Sequence, residues 1–342
     1  MDATGTDNGD MYIDHLPKVE LHLHLEGSLR PATMTRLARR NGRDLGSTDE
    51  LAARYDFESF DDFLQLFLQG LEVLRTGEDF ADATDALAEE LADQQVRYAE
   101  VTTTPFNHDR RGIVIDDYVE GLNEGRRRAA QRGVAITWIC DIPRELEPPG
   151  SHFTVDLITG PRAPAGVVGL GLGGPEPGFP AHLFTSSFSK ARAAGLASLP
   201  HAGETEGPES IWDAIRSLGA NRIGHGTRSV EDAVLLGYLA ENDIDLEVCL
   251  SSNQATGVIA SIEEHPLQRM MGAGILISVN TDDPAYFGTT LNRELRLARD
   301  VHQVGIERLK QVQKDALAAS YASPADKARI REELDHYDGP TP

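Results

Sequence analysis

Histidines and acidic residues close several short apolar runs of this chain. They stand in VELHLH (His22 and His24), LPHAGE (His201 and Glu204), NRIGHG (His225) and SVNTDDP (Asp282 and Asp283). Imidazole nitrogens combined with carboxylate oxygens are ligands that catalytic zinc prefers, and such a site keeps one position open for water. If the fold brings the ends of these runs together, the sequence predicts a metal site that activates water.

The spacing of His22 and His24 places both imidazoles on one face of a strand, about 7 Å apart along it, because strand side chains alternate with a period of two. An isolated HxH pair is common in proteins without a metal, and an isolated Asp-Asp-Pro is most often a turn. The prediction therefore depends on the whole set, in which four separate runs end in residues of matching chemistry.

These runs belong to an alternation of short apolar, β-branched segments and longer segments of helical period. The candidate strands cover residues 19–24, 98–103, 135–141, 166–172, 195–201, 221–225, 245–250 and 275–281. Such alternation predicts βαβ units around a parallel sheet, and eight units predict an α/β fold, a closed (β/α)8 TIM-type barrel. Barrel enzymes carry their chemistry at the C-terminal ends of the strands, which is where these residues fall.

Several segments lie outside the barrel pattern. Extra helices are predicted between strands one and two (57–75) and at the C-terminus (291–319 and 324–334), with a short helix near 151–158. The polar, acidic residues 1–14 predict a disordered lead-in, residues 15–336 a single barrel, and residues 337–342 a frayed tail.

The charge balance restricts the partners. There are 55 acidic and 32 basic residues, for a net charge of -23. This field repels a phosphate backbone, so we expect no nucleic-acid partner and favour a small, neutral or weakly charged substrate.

No segment is apolar enough to predict a membrane span or a signal peptide. Cys140 and Cys249 each end an apolar run, which indicates buried thiols and a cytoplasmic location. The oligomeric state stays open.

Taken together, the motifs resemble those of the adenosine deaminase family, within the amidohydrolase group of barrels. The matching segments are PKVELHLHLEGSLRP, RYAEV, GLGGPE, LPHAGET, NRIGHG, LEVCLSSN and SVNTDDP, in family order from residue 17 to about 300. Longer stretches such as VRYAEVTTTPFNHDRRGI are similar to actinobacterial members. The resemblance implies a hydrolase of purine metabolism that replaces the 6-amino group of an adenine ring with oxygen and releases ammonia.

The resemblance also implies a role for individual residues. One Zn²⁺ per chain would be bound by His22, His24, His201 and Asp282. Glu204 would shuttle a proton to ring N1, and His225 would orient the water and help to deprotonate it. The substrate would be contacted by His24, Glu26, Gly174 (through its N–H, at N3), Asp283 (at N7), and Phe63 and Phe67 on a lid helix.

The chemistry supports these roles independently. Zinc can lower the pKa of a bound water from about 15.7 to about 7. Attack at C6 needs a ring that accepts electrons, which protonation at N1 permits, and the glutamate that delivers this proton must itself be protonated, as burial favours. The lysine that bridges two metals in binuclear relatives is absent from GLGGPE, so a single metal is favoured.

Two departures from the family pattern affect the substrate. The family commonly has an aspartate, which meets the ribose 5′-hydroxyl, at the position of Glu26, and Pro175 replaces the acid of its GDE motif while Gly174 and Glu176 remain. An adenosine-type nucleoside is the expected substrate. Adenine stays an alternative, as does 6-amino-6-deoxyfutalosine of menaquinone biosynthesis, whose large 5′ extension could meet Arg30, Asn107 or His108. Outside enzymes, the alternative is a catalytically silent purine-binding barrel.

Overall fold

Eight parallel strands form one sheet in chain order in the computed structural model, which describes residues 3–55, 60–146 and 149–339, with side chains at 8–55, 65–146 and 150–339. The strands are β1 (Lys18–His24), β2 (Val96–Thr103), β3 (Ala135–Pro143), β4 (Val167–Gly173), β5 (Ala197–Ala202), β6 (Arg222–His225), β7 (Asp245–Val248) and β8 (Ile277–Val279). Each strand pairs with the next in parallel register, as βαβ units require.

The barrel closes between β1 and the segment that follows β8. Leu23 pairs with Asp282 in a parallel bridge. The N–H of His24 donates to the carbonyl of Asp282 at 2.8 Å, and the N–H of Asp282 donates to the carbonyl of His22 at 3.0 Å. The predicted (β/α)8 TIM-type barrel is confirmed, and its closure brings Asp282 directly against the two strand-one histidines.

Helices surround the barrel. They are α1 (Ala3–His15), α2 (Pro31–Arg40), α3 (Thr48–Ala52), α4 (Phe60–Val73), α5 (Gly77–Asp93), α6 (Pro105–Asp109), α7 (Ile115–Gln131), α8 (Pro149–Thr159), α9 (Thr185–Ala193), α10 (Pro208–Asp213), α11 (Ala233–Glu241), α12 (Leu250–Ala255), α13 (Leu267–Gly272), α14 (Leu291–Asp300), α15 (Ile306–Ala319) and α16 (Pro324–His336). In the described part of the chain, none is long and apolar enough to cross a membrane.

Alternation along β1 separates the outer core from the barrel interior. Val19, Leu21 and Leu23 are fully buried in the apolar core. The intervening polar residues face a charged interior, in which Arg222 donates to Glu247 at 2.6 Å and to Glu100 at 2.5 Å. Buried charges are tolerated when they are paired and hydrogen-bonded in this way.

The extra helices lie where the periodicity predicts them. The segment 57–75 corresponds to α4, the segment 151–158 to α8, and the C-terminal segments to α14, α15 and α16. The single helix predicted over 291–319 is in fact two, because α14 ends at Asp300 and α15 begins at Ile306.

The prediction of a disordered lead-in over residues 1–14 is wrong for the described residues, since α1 begins at Ala3. Ile13 is fully buried, and Asp10 pairs with Arg299 of α14 at 2.6 Å. The polar residues thus find cationic partners distant in sequence, which local composition cannot reveal. The tail also begins later than predicted. Tyr337 packs edge-on against Tyr12 with ring centroids 4.8 Å apart, and its hydroxyl donates to the Tyr12 carbonyl at 2.6 Å.

Candidate active site

Four histidines and one aspartate meet at the C-terminal mouth of the barrel. His22 and His24 come from β1, His201 from β5, His225 from β6, and Asp282 from the segment after β8. Asp282 Oδ1 lies 3.4 Å from His22 Nε2 and 3.1 Å from His24 Nε2. Ligand atoms of His22, His201, His225 and Asp282 all lie within 4.8 Å of one another.

The arrangement fits a metal ion. His22 Nδ1 is 2.8 Å from Glu247 Oε2, while His22 Nε2 is buried with no hydrogen-bond partner and faces the cluster. A buried nitrogen lone pair without a donor, beside two further imidazoles and a carboxylate, suits a borderline cation such as zinc. Five side chains converge where the resemblance implies four ligands, so the division of roles between His24 and His225 stays a prediction.

Two of these residues have a left-handed backbone, which is uncommon for residues other than glycine. His225 has φ +61° and Asp282 has φ +65°. Strand β8 ends at Val279, so the predicted strand over 275–281 is too long, and neither Asp282 nor Asp283 lies on it. A turn, not strand alternation, therefore separates their side chains, and the strain is of the kind found at functional sites.

The two aspartates have different surroundings. Asp282 Oδ2 accepts from the Ser252 hydroxyl at 2.6 Å, and its other oxygen faces the histidines. Asp283 Oδ1 is buried with no hydrogen-bond partner, and burial together with the charge of Asp282 raises the pKa of Asp283 to about 7. Its carboxylate fits beside Gly27, where a Cβ would lie 1.7 Å from Oδ1. The substrate contact predicted for Asp283 stays a prediction, and its Oδ1 is free of hydrogen bonds from the protein.

Glu204 lies beside His225 at the cluster. Its Oε2 is 3.7 Å from His225 Nε2, and burial raises the pKa of Glu204 above its usual range. The Thr227 hydroxyl donates to Asn253 Oδ1 at 2.7 Å, which turns the Asn253 amide N–H toward His225 Nδ1 at 3.1 Å. Nδ1 then accepts, so a neutral His225 carries its proton on Nε2, toward Glu204 and Asp282.

The structure describes the surroundings of two further residues predicted to contact the substrate, Gly174 and Phe67. Gly174 follows β4 with φ +92°, a conformation that favours glycine, close to Glu145. Phe67 of α4 is half-buried, with its ring centroid 5.6 Å from that of Tyr286. The side chain of Phe63 lies outside the described residues.

Glu26 is buried, and its hydrogen bonds go to the protein. Oε1 accepts from the Thr103 hydroxyl at 2.8 Å, from the Thr104 N–H at 3.2 Å, and from His108 Nε2 at 2.7 Å. Despite burial, His108 and Thr103 hold the pKa of Glu26 below its usual range. The substrate contact predicted for Glu26 stays a prediction.

Of the three residues considered for a 5′ extension, two have partners within the protein. Arg30 donates to Glu90 and to the carbonyls of Pro284 and Thr289. His108 is fully buried against Glu26. Asn107 is half-buried in α6.

The sequence interpretation missed residues that support the histidines. Glu247 of β7 binds His22, and Asn253 of α12 binds His225. Asp141 of β3 lies 3.9 Å from His201 Nδ1, in space that Gly171 leaves free, since a Cβ there would lie 1.8 Å from Asp141 Oδ1. An acid inside an apolar run, as in LEVC or WICDI, is the signal that could have identified the two carboxylates.

Comparison with known proteins places this geometry among deaminases. The sequence profile of the adenosine deaminase family matches residues 17–337. An aminodeoxyfutalosine deaminase of Streptomyces avermitilis is 43% identical over 330 residues, covering 95% of this chain and 92% of the relative.

Two solved structures of related proteins have the same fold. The adenine deaminase from Arthrobacter aurescens superposes with a TM-score of 0.89 at 32% identity, covering 94% of this chain and 99% of that one. A zinc-bound amidohydrolase from Burkholderia ambifaria superposes with a TM-score of 0.85 at 26% identity, covering 98% and 94%.

Proposed function

This chain belongs to the adenosine deaminase family and is a hydrolytic deaminase of adenine-type substrates, and from that premise we propose that it uses one Zn²⁺ held by His22, His24, His201 and Asp282. The observation that carries this proposal is the convergence of these side chains beside Glu204 at the barrel mouth. Bound there, zinc would supply a Lewis acid that makes water nucleophilic near neutral pH.

The chain's own residues perform the proton transfers. Glu204, whose pKa is raised by burial, donates a proton to ring N1, and this draws electrons away from C6 as water adds there. His225, whose Nε2 proton faces the cluster, orients the water. Once Glu204 has protonated N1 it is a carboxylate, so it takes up the proton that the water loses and passes it to the leaving amine. The C6–N6 bond then breaks, the amine leaves with a proton as ammonia, and the ring keeps oxygen at C6. Asp283, whose Oδ1 has no hydrogen-bond partner in the protein, holds the ring by donating from its protonated carboxyl to N7, and its raised pKa of about 7 favours that form.

We propose further that the preferred substrate is an adenine nucleoside substituted at the 5′ carbon, of the 6-amino-6-deoxyfutalosine class. Glu26 occupies the position of the family's 5′-hydroxyl acceptor, but its Oε1 is already bound to Thr103, Thr104 and His108. An unmodified 5′-hydroxyl would therefore compete with three protein donors at Oε1. The 43% identity to an aminodeoxyfutalosine deaminase supports the same substrate class.

Free adenine is the second candidate. It is favoured by the high structural similarity to an adenine deaminase, with a TM-score of 0.89. Adenine also lacks a 5′ end, so an engaged Glu26 would not affect its binding.

The test is a comparison of kcat/KM on aminodeoxyfutalosine, adenine and adenosine with zinc-loaded enzyme, followed by ammonia release. We expect aminodeoxyfutalosine to exceed the other two by at least about tenfold, the effect of roughly 1.4 kcal/mol in transition-state binding. A highest value on adenine or adenosine would overturn the substrate proposal and leave the reaction class intact. Absence of ammonia release from all three would support a silent barrel instead.

A further inference from the structure

The end of β5 and the turn that follows it carry two residues of the proposed mechanism, His201 and Glu204. Strand β5 ends at Ala202, and Gly203 follows with φ +66°. Packing also requires a glycine here, since a Cβ at position 203 would lie 2.4 Å from the Ile211 side chain. Beyond the strand end, the turn's N–H groups need acceptors other than the sheet.

One carboxylate accepts three consecutive N–H groups of this turn. The N–H of Gly203 donates to Glu176 Oε2 at 3.0 Å, and those of Glu204 and Thr205 donate to Oε1 at 2.8 and 2.9 Å. The Ser210 hydroxyl donates to Oε2 as well. Successive N–H groups aimed at one point form an anion-binding nest, and here the anion is a side chain of the chain itself.

One guanidinium holds the other end of the same turn. Arg144, which follows β3, donates through Nη2 to the carbonyl of His201 and through Nη1 to the carbonyl of Phe179 at 3.0 Å. Arg144 is 1% exposed and Glu176 is 5% exposed. Although burial opposes it, the Ser210 hydroxyl, the Thr205 N–H and the charge of Arg144 hold the pKa of Glu176 below its usual range.

We propose that Glu176 and Arg144 are positioning residues that clamp the turn from both sides, Arg144 at the His201 carbonyl and Glu176 at the Glu204 backbone. This inference rests on the proposed function, in which Glu204 donates the proton. The clamp fixes the carboxyl of Glu204 at the distance from N1 that proton transfer requires, and an error of about 1 Å there is costly. Arg144 fixes the backbone from which the His201 imidazole reaches the metal.

The test compares Glu176→Gln and Arg144→Lys in the full-length, zinc-loaded enzyme. An amide presents one oxygen where the carboxylate presents two. In Glu176→Gln the turn therefore loses the acceptor either of the Gly203 N–H and the Ser210 hydroxyl or of the Glu204 and Thr205 N–H groups. We expect kcat to fall about 10²-fold, with KM, purine-product affinity and zinc affinity within threefold of wild type. A lysine cannot serve both carbonyls as the guanidinium fork does, so Arg144→Lys should weaken zinc affinity, measured by chelator competition, by about tenfold.

The stability control is Leu334→Ala in α16, a fully buried position remote from the mouth, assayed at a temperature where every variant is folded. If Glu176→Gln keeps kcat within threefold of wild type, or loses only what Leu334→Ala loses, the clamp is refuted while the proposed function stands. If Glu176→Gln does not fold, Arg144→Lys decides through its zinc affinity, and a value equal to wild type refutes the clamp. If wild type deaminates no adenine-type substrate, the proposed function fails, and the same zinc measurement still judges the Arg144 half of the clamp.

Discussion

His22 Nδ1 lies 2.8 Å from Glu247 Oε2, a contact across the barrel interior between β1 and β7. Arg222 donates to the other carboxylate oxygen at 2.6 Å. Although burial opposes it, Arg222 and His22 hold the pKa of Glu247 at about 2, so the carboxylate is charged. It therefore accepts the Nδ1 proton and leaves the Nε2 lone pair of His22 for a metal.

Glu247→Gln should lower zinc affinity by about 10- to 100-fold, because an amide holds the His22 tautomer and its basicity less firmly than a carboxylate. Competition with a chromogenic chelator measures this directly. Glu263→Gln, at an exposed position, is the matched control. Equal affinities in the two variants would show that Glu247 does not support the metal.

Glu204→Gln should reduce kcat by about 10²- to 10⁴-fold and leave zinc content and purine binding close to wild type, because the amide preserves shape but cannot deliver a proton. Glu206→Gln changes an exposed residue two positions away and should remain active. Turnover near the wild-type rate in Glu204→Gln would remove Glu204 from the mechanism.

Asp282→Ala and Asp283→Ala should separate metal binding from catalysis. Asp282 faces two imidazoles, so its loss should lower zinc affinity, whereas Asp283 has an unpartnered Oδ1, so its loss should spare zinc and lower kcat/KM. Metal analysis after dialysis and steady-state kinetics provide the two measurements. Equal zinc loss in both variants would contradict this division.

Glu26→Asp should lower the activity on aminodeoxyfutalosine, adenine and adenosine by a similar factor. The shorter acid withdraws from His108 and Thr103, and the buried imidazole loses a charge-assisted hydrogen bond. We expect the free energy of unfolding to fall by about 1.5–3 kcal/mol in denaturant titrations. A selective gain on adenosine would instead show that Glu26 contacts the 5′ end of the substrate.

Stability should fall in acid through His265. Burial, with the nearby His302 and His225, lowers the pKa of His265 to about 3, whereas an unfolded histidine has a pKa of about 6.5. Between these values the unfolded chain binds a proton that the folded protein does not. The His265 contribution is therefore complete above about pH 6.5 and is lost as pH falls toward about 3, with a slope of up to about 1.4 kcal/mol per pH unit.

His265→Gln should flatten the pH dependence of the free energy of unfolding between about pH 7 and 5 by this one-proton slope. His336→Gln, at an exposed position, is the control. If His265→Gln and His336→Gln give parallel pH curves, His265 does not determine acid stability.

Local pattern was sufficient to predict the barrel and the convergence of the histidines and Asp282 at its mouth. Alternation along KVELHLH determines that His22 and His24 share one face of β1, and the order of strand and helix patterns requires parallel strands whose C-terminal ends meet. The type of a residue and its position along a strand depend only on the local sequence, so they can be predicted from it. The chemistry of the mouth followed from them.

Tertiary structure alone decided the contacts between distant segments. Glu247 and His22 are 225 positions apart, and the partners of Glu26 and α1 come from other elements. The left-handed backbone of Asp282 arises where the chain closes the barrel against β1, and no local pattern of β8 indicates it. The sequence does not distinguish a carboxylate that binds a substrate from one that binds an imidazole or three backbone N–H groups. Burial and long-range packing determine which partner it has.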